Sequence, residues 1–147
     1  IVGEDIEVIY SYSAMVKAQM FAKSMKQFDN TEKPYLEFPE GIKVYVFDEQ
    51  LEIESVIQAN YAIYYKDERR WHATGNVIAE NFKSGERLDT EELFWDEDKE
   101  EIYSNSYTRI VNEDGTFYGQ NGFKSNQSFT EYTLIGSKGI VNIKDNE

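Results

Sequence analysis

The sequence predicts an all-β protein, a meander of antiparallel hairpins, and three observations predict it. Aromatics are abundant (11 Tyr, 9 Phe and 2 Trp) and Val, Ile and Thr are frequent, a composition that suits pleated, half-buried surfaces. Apolar and polar residues alternate at period two in most segments, and no segment sustains a helical period. Turn signals recur from Gly41 onward at intervals of about 10 to 15 residues. This spacing gives a weak repeat of one hairpin per unit, without the regularity of a propeller or leucine-rich array.

In chain order, residues 5–12 place Ile6, Val8, Tyr10 and Tyr12 on one face, and residues 15–21 pair back after a Ser13-Ala14 turn. Residues 23–28 form another short alternating piece. The stretch 15–25 also carries the Ala, Met, Lys and Gln that favour a helix, but its neighbours are strands. Asp29-Asn30-Thr31 turns the chain and Pro39-Glu40-Gly41 breaks it. Next, Ile42, Val44 and Val46 share one face, with Lys43, Tyr45 and Phe47 opposite. Asp48-Glu49-Gln50 turns into a long strand, 52–66, with Ser55, Ile57, Ala59, Tyr61, Ile63 and Tyr65 on one face. Val56, Gln58, Asn60, Ala62 and Tyr64 make up the other.

Residues 71–110 are the organising stretch and read as four consecutive strands. Trp71, Ala73, Gly75, Val77 and Ala79 share a face, opposite His72, Thr74, Asn76, Ile78 and Glu80. The chain turns at 81–85, runs back over 87–95, and turns again at the charged run 96–100, which reads as solvated. Ile102, Ser104, Thr108 and Ile110 share a face of the next long strand. Leu88 and Leu93 can both face inward only if a bulge intervenes, so the phase near Thr90 and Leu93 stays open. Asp114-Gly115 marks a hairpin. Strands over 116–123 and 128–135 come after it, with a last one over 139–143.

At 147 residues the chain, 1–147, is a single domain. Its formal net charge is -13, with 28 acidic against 15 basic residues, which leaves no basic stripe to displace counterions from nucleic acid. Without cysteine there is no disulfide framework and no thiolate metal site. No apolar run approaches a membrane span, and the chain starts at Ile1, so any anchor is expected upstream.

Catalysis has little support. His72 is the only histidine, it lies on the polar-facing phase, and it reads as solvated or hydrogen-bonded. Carboxylates are too numerous to single out an acid–base pair. Asp96 to Asp98 lacks the continuation of a calcium loop, and nucleophile-elbow, zincin and phosphate-loop motifs are all missing. The reading is of a non-enzyme with no cofactor and no metal.

The positive signal is the apolar phase: Val44, Val46, Ala59, Tyr61, Ile63, Val77, Leu88, Leu93, Trp95, Ile102, Ile110 and Phe117. On the residues alone it reads as an ordinary core of a sandwich, barrel or open jelly roll, among which periodicity does not choose. The cations Lys66, Arg69, Arg70, Lys83 and Arg87 read as solubilising hairpin ends, or as local relief for an anion near one rim. Gly139, Ile140, Val141, Asn142 and Ile143 form a short apolar strand between Lys138 and Lys144, the pattern of a charge-guarded sheet edge.

A resemblance rests on motifs in order. Ala73-x-Gly75-Asn76-Val77 is followed by Leu88-x-Thr90-Glu91-x-Leu93-x-Trp95-Asp96 and Ile102-x-Ser104. Phe38-Pro39-x-Gly41-Ile42-x-Val44 stands upstream, and Gly119-x-x-Gly122-Phe123-x-Ser125-Asn126-x-x-Phe129 downstream. Together they resemble the LptC family, the periplasmic, inner-membrane-anchored component of the lipopolysaccharide transport bridge, over roughly residues 7–143. The Gly119–Gly122 spacing is one residue longer than the usual G-x-G, which leaves the phase after Tyr118 open.

The resemblance implies an elongated, twisted, half-open β-jelly roll of antiparallel strands with an apolar interior. It turns the apolar phase into a groove for acyl chains. Small residues such as Ala59, Ala73, Gly75 and Ala79 then leave room for them. It implies non-enzymatic carriage of lipopolysaccharide from an inner-membrane ABC transporter to the periplasmic bridge protein LptA. The edge strand, Gly139 to Ile143, then serves head-to-tail β-stacking. The alternative is a carbohydrate-binding or adhesive β-sandwich at the cell surface, stacking sugars on Tyr45, Phe47 and Tyr64.

Overall fold

A computed structural model describes residues 2–12, 15–126, 129 and 131–141, and within them every regular element is a strand. Fourteen strands form one antiparallel sheet. In chain order they are β1 (Val2–Tyr12), β2 (Met15–Phe28), β3 (Tyr35–Phe38), β4 (Ile42–Phe47), β5 (Ile53–Ala59), β6 (Tyr61–Tyr65) and β7 (Arg70–Asn81). Then come β8 (Glu86–Asp96), β9 (Glu101–Ser104), β10 (Thr108–Asn112), β11 (Gly115–Gly119), β12 (Phe123–Asn126), β13 (Tyr132–Leu134) and β14 (Ser137–Val141). The helix-favouring stretch is strand, because β2 runs unbroken and pairs with β1, β3 and β4.

Short strands join into long lines. β3 and β4 are two halves of one line that faces a second line made of β5 and β6: Phe38 pairs with Ala62, and Ile42 with Ala59. β9 with β10 and β11 with β12 repeat this, since Thr108 pairs with Gly119 and Ser104 pairs with Phe123. At the far edge β13 pairs with β12 and β14 with β11. Each line is interrupted near its middle, and the interruptions fall side by side. They run from Gly41 and Asn60 through Gly75-Asn76 and Glu91-Glu92 to Asn105-Ser106-Tyr107, Gln120-Asn121 and Ile135-Gly136. This row is a crease across the strands, and the sheet folds along it into two facing leaves.

Leaf I holds β3, β6, the first half of β7, the second half of β8, β9, β12 and β13. Leaf II holds β4, residues 18–21 of β2 paired with it, residues 7–10 of β1 paired with those, β5, the other halves of β7 and β8, β10, β11 and β14. Side chains from both form one core, including Phe38, Ala62, Trp71, Leu93, Ile102 and Phe123 from leaf I, and Ala59, Val77, Leu88 and Ile110 from leaf II. Their hairpin turns gather along the open margin opposite the crease. This is the all-β architecture that the sequence predicts, and the jelly roll that the resemblance implies.

The crease explains the motifs. Gly75 (φ 80°) and Asn76 (φ 47°) put an extra residue into β7, so Thr74 pairs with Glu92 but Val77 with Thr90. That bulge carries Leu88 and Leu93 inward together, 1% and 7% exposed, and closes the question of phase there. Gly122 is forced: its φ is 105°, and a Cβ would stand 1.8 Å from the Ser104 carbonyl oxygen. The longer Gly119–Gly122 spacing accommodates the crease, with Phe117 paired opposite Ile110 before it and Phe123 buried after it.

The same crease divides three expected strands: 102–110 into β9 and β10, 116–123 into β11 and the start of β12, and 52–66 as well. Residues 52–66 are not one strand but β5 and β6, separated at Asn60, whose N–H is taken by the Gly75 carbonyl (2.9 Å). Face alternation restarts beyond that break. Ala59 and Ala62 are both inward, at 8% and 0% exposure, and Tyr64 packs against the core. Tyr61 and Ile63 therefore point outward, and Tyr61 bonds Glu37 there through its hydroxyl. Other bounds shift too: β1 begins at Val2, the last strand at Ser137 and not Gly139, and β13 spans only Tyr132–Leu134. The predicted Ser13-Ala14 turn, and Asn142 and Ile143 of the edge strand, lie outside the described residues.

Candidate functional site

The inward face is continuous and almost wholly apolar. Val77 and Ile110 are fully buried and Ile102 is 6% exposed. Ile57, Val44, Trp95 and Ala79 pack around them. Val46 continues the row by pairing with Ser55 and Ala18, and Phe117 continues it beside Ile110 and Gly139. Of the predicted groove residues, Val44, Val46, Ala59, Val77, Leu88, Trp95, Ile102, Ile110 and Phe117 share this face, and Tyr61 and Ile63 leave it.

Of the four buried polar residues among those described, Thr90, Ser104 and Thr108 cluster at the crease, and the fourth, Ser125, lies on β12 opposite Ile102. The hydroxyl of Thr90 lies 3.0 Å from that of Ser104 and 3.2 Å from that of Thr108. Thr108 reaches the Ser106 carbonyl (3.0 Å) and Thr90 the Tyr107 carbonyl (3.2 Å), while the Ser106 N–H donates to Ser104 (3.0 Å). Where the line breaks between β9 and β10, backbone groups lose their ladder partners, and these side chains supply others.

The open margin is different. Glu97, in the turn after β8, is not the solvated residue that its charged neighbours predict, and its side chain is only 14% exposed. It accepts from Trp71 Nε1 (3.1 Å), the Tyr64 hydroxyl (3.2 Å) and Arg69 Nε (3.4 Å). Two paired indoles, Trp71 and Trp95, and a buried tyrosine demand an acceptor at this end of the interior. That demand was the available signal. Tyr10, from β1 on the other leaf, meets Trp95 edge-on with ring centroids 6.5 Å apart. Burial, then the nearby Glu97 charge, drive its hydroxyl far above the ordinary phenol range. At the far margin Tyr132 of leaf I packs against the core, and burial, then the nearby Glu86 charge, push its hydroxyl up.

Every cation considered for the rim is paired. Lys66 holds Asp29 (2.8 Å), Arg69 holds Glu97 and Asp98, and Arg70 holds Glu68 (3.2 Å). Lys83 holds Asp48 (2.9 Å) and Arg87 holds Asp89 (3.0 Å). The Lys66, Arg69 and Lys83 pairs tie neighbouring turns together, the Arg70 and Arg87 pairs are local, and among the described residues they form no cluster aimed at a single anion.

On the outer face of leaf I, His72 stacks on Phe94 (4.1 Å between centroids) and bonds Glu92 (3.2 Å), and Phe94 stacks on Tyr103 (4.9 Å). The rings cover one another's faces. A concavity of about 520 Å³ lies beside the crease, between Phe21 and Ile78, but Asp5, Glu7 and Glu40 share its walls.

The fold and its apolar interior agree with a match to a family model. Residues 5–141 match the lipopolysaccharide-assembly, LptC-related family. The chain belongs to this family. Membership gives it a role in lipopolysaccharide transport, in a family of periplasmic bridge proteins rather than enzymes. Comparison with individually curated proteins gives no match.

Proposed function

We propose that this LptC-family chain shields the acyl chains of lipopolysaccharide between its two leaves, taking the lipid from an inner-membrane ABC transporter and passing it to the next bridge protein, LptA. The observation that carries this is the apolar strip from Val44 and Ala59 through Val77, Leu88 and Ile110 to Phe117, which crosses the paired strands β4 to β11. Each methylene kept from water is worth about 0.8 kcal/mol, so a lipid with several long chains needs such a strip along its whole path. Energy comes from the transporter, and the chain itself does no chemistry. A segment preceding Ile1 is proposed to hold it at the inner membrane.

The charges fit a conduit for tails. A net charge of -13 repels an anionic head group at range, and the marginal cations are spent on carboxylates of the protein. Sugar stacking finds less support. Tyr64 is turned inward to Glu97, Tyr45 is met edge-on by Phe21 (5.9 Å), and Phe94 is stacked between His72 and Tyr103.

For the hand-over, β14 is the candidate surface. It pairs on one side with β11, from Gly119↔Ser137 to Gly115↔Val141, and has no second strand partner among the described residues. A partner strand can continue the sheet there. Val141→Pro is expected to abolish capture of LptA while the domain still folds, and unchanged pull-down would rule this edge out.

The lipid reading is tested by displacement of a hydrophobic fluorescent dye. Lipopolysaccharide should displace it in proportion to occupancy, and its delipidated polysaccharide should not. Displacement by the polysaccharide alone would move the sugar-binding reading ahead.

A further inference from the structure

The two leaves treat their outer faces differently. On leaf I, outward rings stack on one another: Phe28 on Tyr35 (4.7 Å), His72 on Phe94 (4.1 Å) and Phe94 on Tyr103 (4.9 Å). On leaf II, outward apolar side chains are left to solvent. Phe21, Tyr45, Val56 and Ile78 alternate with the inward Met20, Val44, Ile57 and Val77, which sets them on the outside of β2, β4, β5 and β7. Ile53 and Phe82 extend the patch toward the margin, and Phe21, Ile53 and Phe82 are 39%, 44% and 58% exposed.

This patch is hollowed. The concavity of about 520 Å³ beside the crease adjoins a second of about 310 Å³, walled by Tyr45, Ile53, Val56 and Phe82, and both share Lys43, Gln58 and Ile78. Lys43 pairs opposite Gln58, and Gln58 opposite Ile78, so the two hollows form one groove across β4, β5 and β7. Single apolar side chains on a surface need no explanation, but a joined groove of them with a charged rim marks a docking place. Each of these three strands already has a strand on both sides, so an added strand finds no free backbone there. A helix can lay its apolar stripe on such a face.

The rim selects the sign of the partner. Asp5, Glu7 and Glu40 line the first hollow and Glu80 the second, Glu52 and Glu54 flank Ile53, and Asp48 reaches Lys83 beside Phe82. Four cations face these seven carboxylates, and three are engaged: Lys83 with Asp48 (2.9 Å), Arg87 with Glu80 (3.7 Å), and Lys43 over the Tyr45 ring (5.4 Å). Lys23 is the fourth. Among the described residues, Asp5, Glu7, Glu40, Glu52 and Glu54 have no cation within ion-pair distance. A second copy would bring the same surplus of negative charge, and an anionic lipid surface is repelled by a net charge of -13.

We propose that the outer face of leaf II docks a cationic amphipathic helix of a partner protein, with apolar anchors in the two hollows and lysines or arginines against the carboxylate rim. The proposal goes beyond the lipid reading and does not rest on it. Anchors in the hollows supply the affinity, and the rim supplies rate and salt dependence.

A defined probe tests it: a fluorescent peptide of leucine and lysine in amphipathic order, about 18 residues or five helical turns long. A scrambled peptide of the same composition carries the charge without the apolar stripe. Anisotropy titrations are expected to give at least about tenfold tighter binding for the amphipathic order, and about a tenfold loss with Phe21→Ser plus Phe82→Ser, folding being checked by the melting transition. Raising salt from about 0.05 to about 0.5 M should weaken that binding several-fold. In cells, a photoreactive residue at Tyr45 should join a protein segment that carries lysines or arginines and has apolar residues at helical spacing; one at Lys124, on the outer face of leaf I, should not. Equal binding of the two peptides, or indifference to the paired serines, would overturn the groove. Adducts from Tyr45 to a second copy or to lipid, or none at all, would overturn the partner. Lipopolysaccharide that still displaces the hydrophobic dye from the double-serine variant would leave the lipid reading standing whatever becomes of the groove.

Discussion

The crease and the open margin bound the same interior and are built in opposite ways. At the crease, glycines at 75 and 122 allow backbone turns closed to other residues, and Thr90, Ser104 and Thr108 finish the interrupted ladder with hydroxyls. At the margin, turns tied by surface ion pairs face each other, and Tyr10 crosses the gap to Trp95. One line is a hinge that holds its geometry, and the other is a seam. A carrier that must keep a dry path yet exchange its cargo needs both, and the difference shows where it can give.

The crease is where substitution should hurt most. Gly122→Ala drives a Cβ into the Ser104 carbonyl at a positive φ and is expected to cost about 2–4 kcal/mol, read from denaturant midpoints. Leu88→Ala empties a site that is 1% exposed and should cost a similar 2–4 kcal/mol or so. That variant also sharpens the comparison, because the cavity lies where chains are proposed to run and should raise dye binding as stability falls. Thr108→Val keeps shape and removes one crease hydroxyl, with an expected loss of about 1–2 kcal/mol in the same assay. At the margin, Glu97→Gln keeps an acceptor for Trp71 or Tyr64 and should cost about 1 kcal/mol or less. If Glu97→Gln proved as damaging as Gly122→Ala, the margin would be a second hinge and the contrast would fail.

Alkali separates the two lines further. Tyr10, Tyr64 and Tyr132, which lie toward the margin, have their hydroxyls raised above the ordinary phenol value, burial being the first cause in each. A group whose pKa is higher folded than unfolded gives its full stabilisation below the unfolded value, near pH 10 for a phenol, and loses it as pH rises through the folded one. Stability is therefore expected to fall from about pH 10 upward, with Tyr10→Phe and Tyr132→Phe flattening the fall. The crease uses serine and threonine hydroxyls, which do not titrate there. Chemical denaturation at stepped pH checks this.

Much of the fold was legible. Period-two alternation located Trp71, Ala73, Val77 and Ala79 on one face, and Ile102, Ser104, Thr108 and Ile110 on another stretch of it. Turn residues marked the hairpins at Asp114-Gly115 and beyond Asp96. The crease was not legible from alternation, because an interruption of one residue at Asn60 carries no turn signature of its own. It is imposed by the Gly75 carbonyl on the neighbouring strand, and it reversed Tyr61 and Ile63. Motif order held information that local pattern lacked: the glycines and hydroxyls that recur in it are the crease. Glu97 was hidden by its company, since four of the five residues from Asp96 to Glu100 are acidic and nothing local shows which of them turns inward.

The central claim is that acyl chains occupy the space between the leaves. Photo-crosslinking in cells tests it most directly, with the photoreactive residue placed at Ile110 or Phe117 and, for contrast, at outward-facing Tyr61 and exposed Asn60. The account predicts lipopolysaccharide adducts from Ile110 and Phe117 and none from Tyr61 or Asn60. Adducts from the outward positions alone, or from none in a folded and exported protein, would contradict it and return the apolar interior to a structural core.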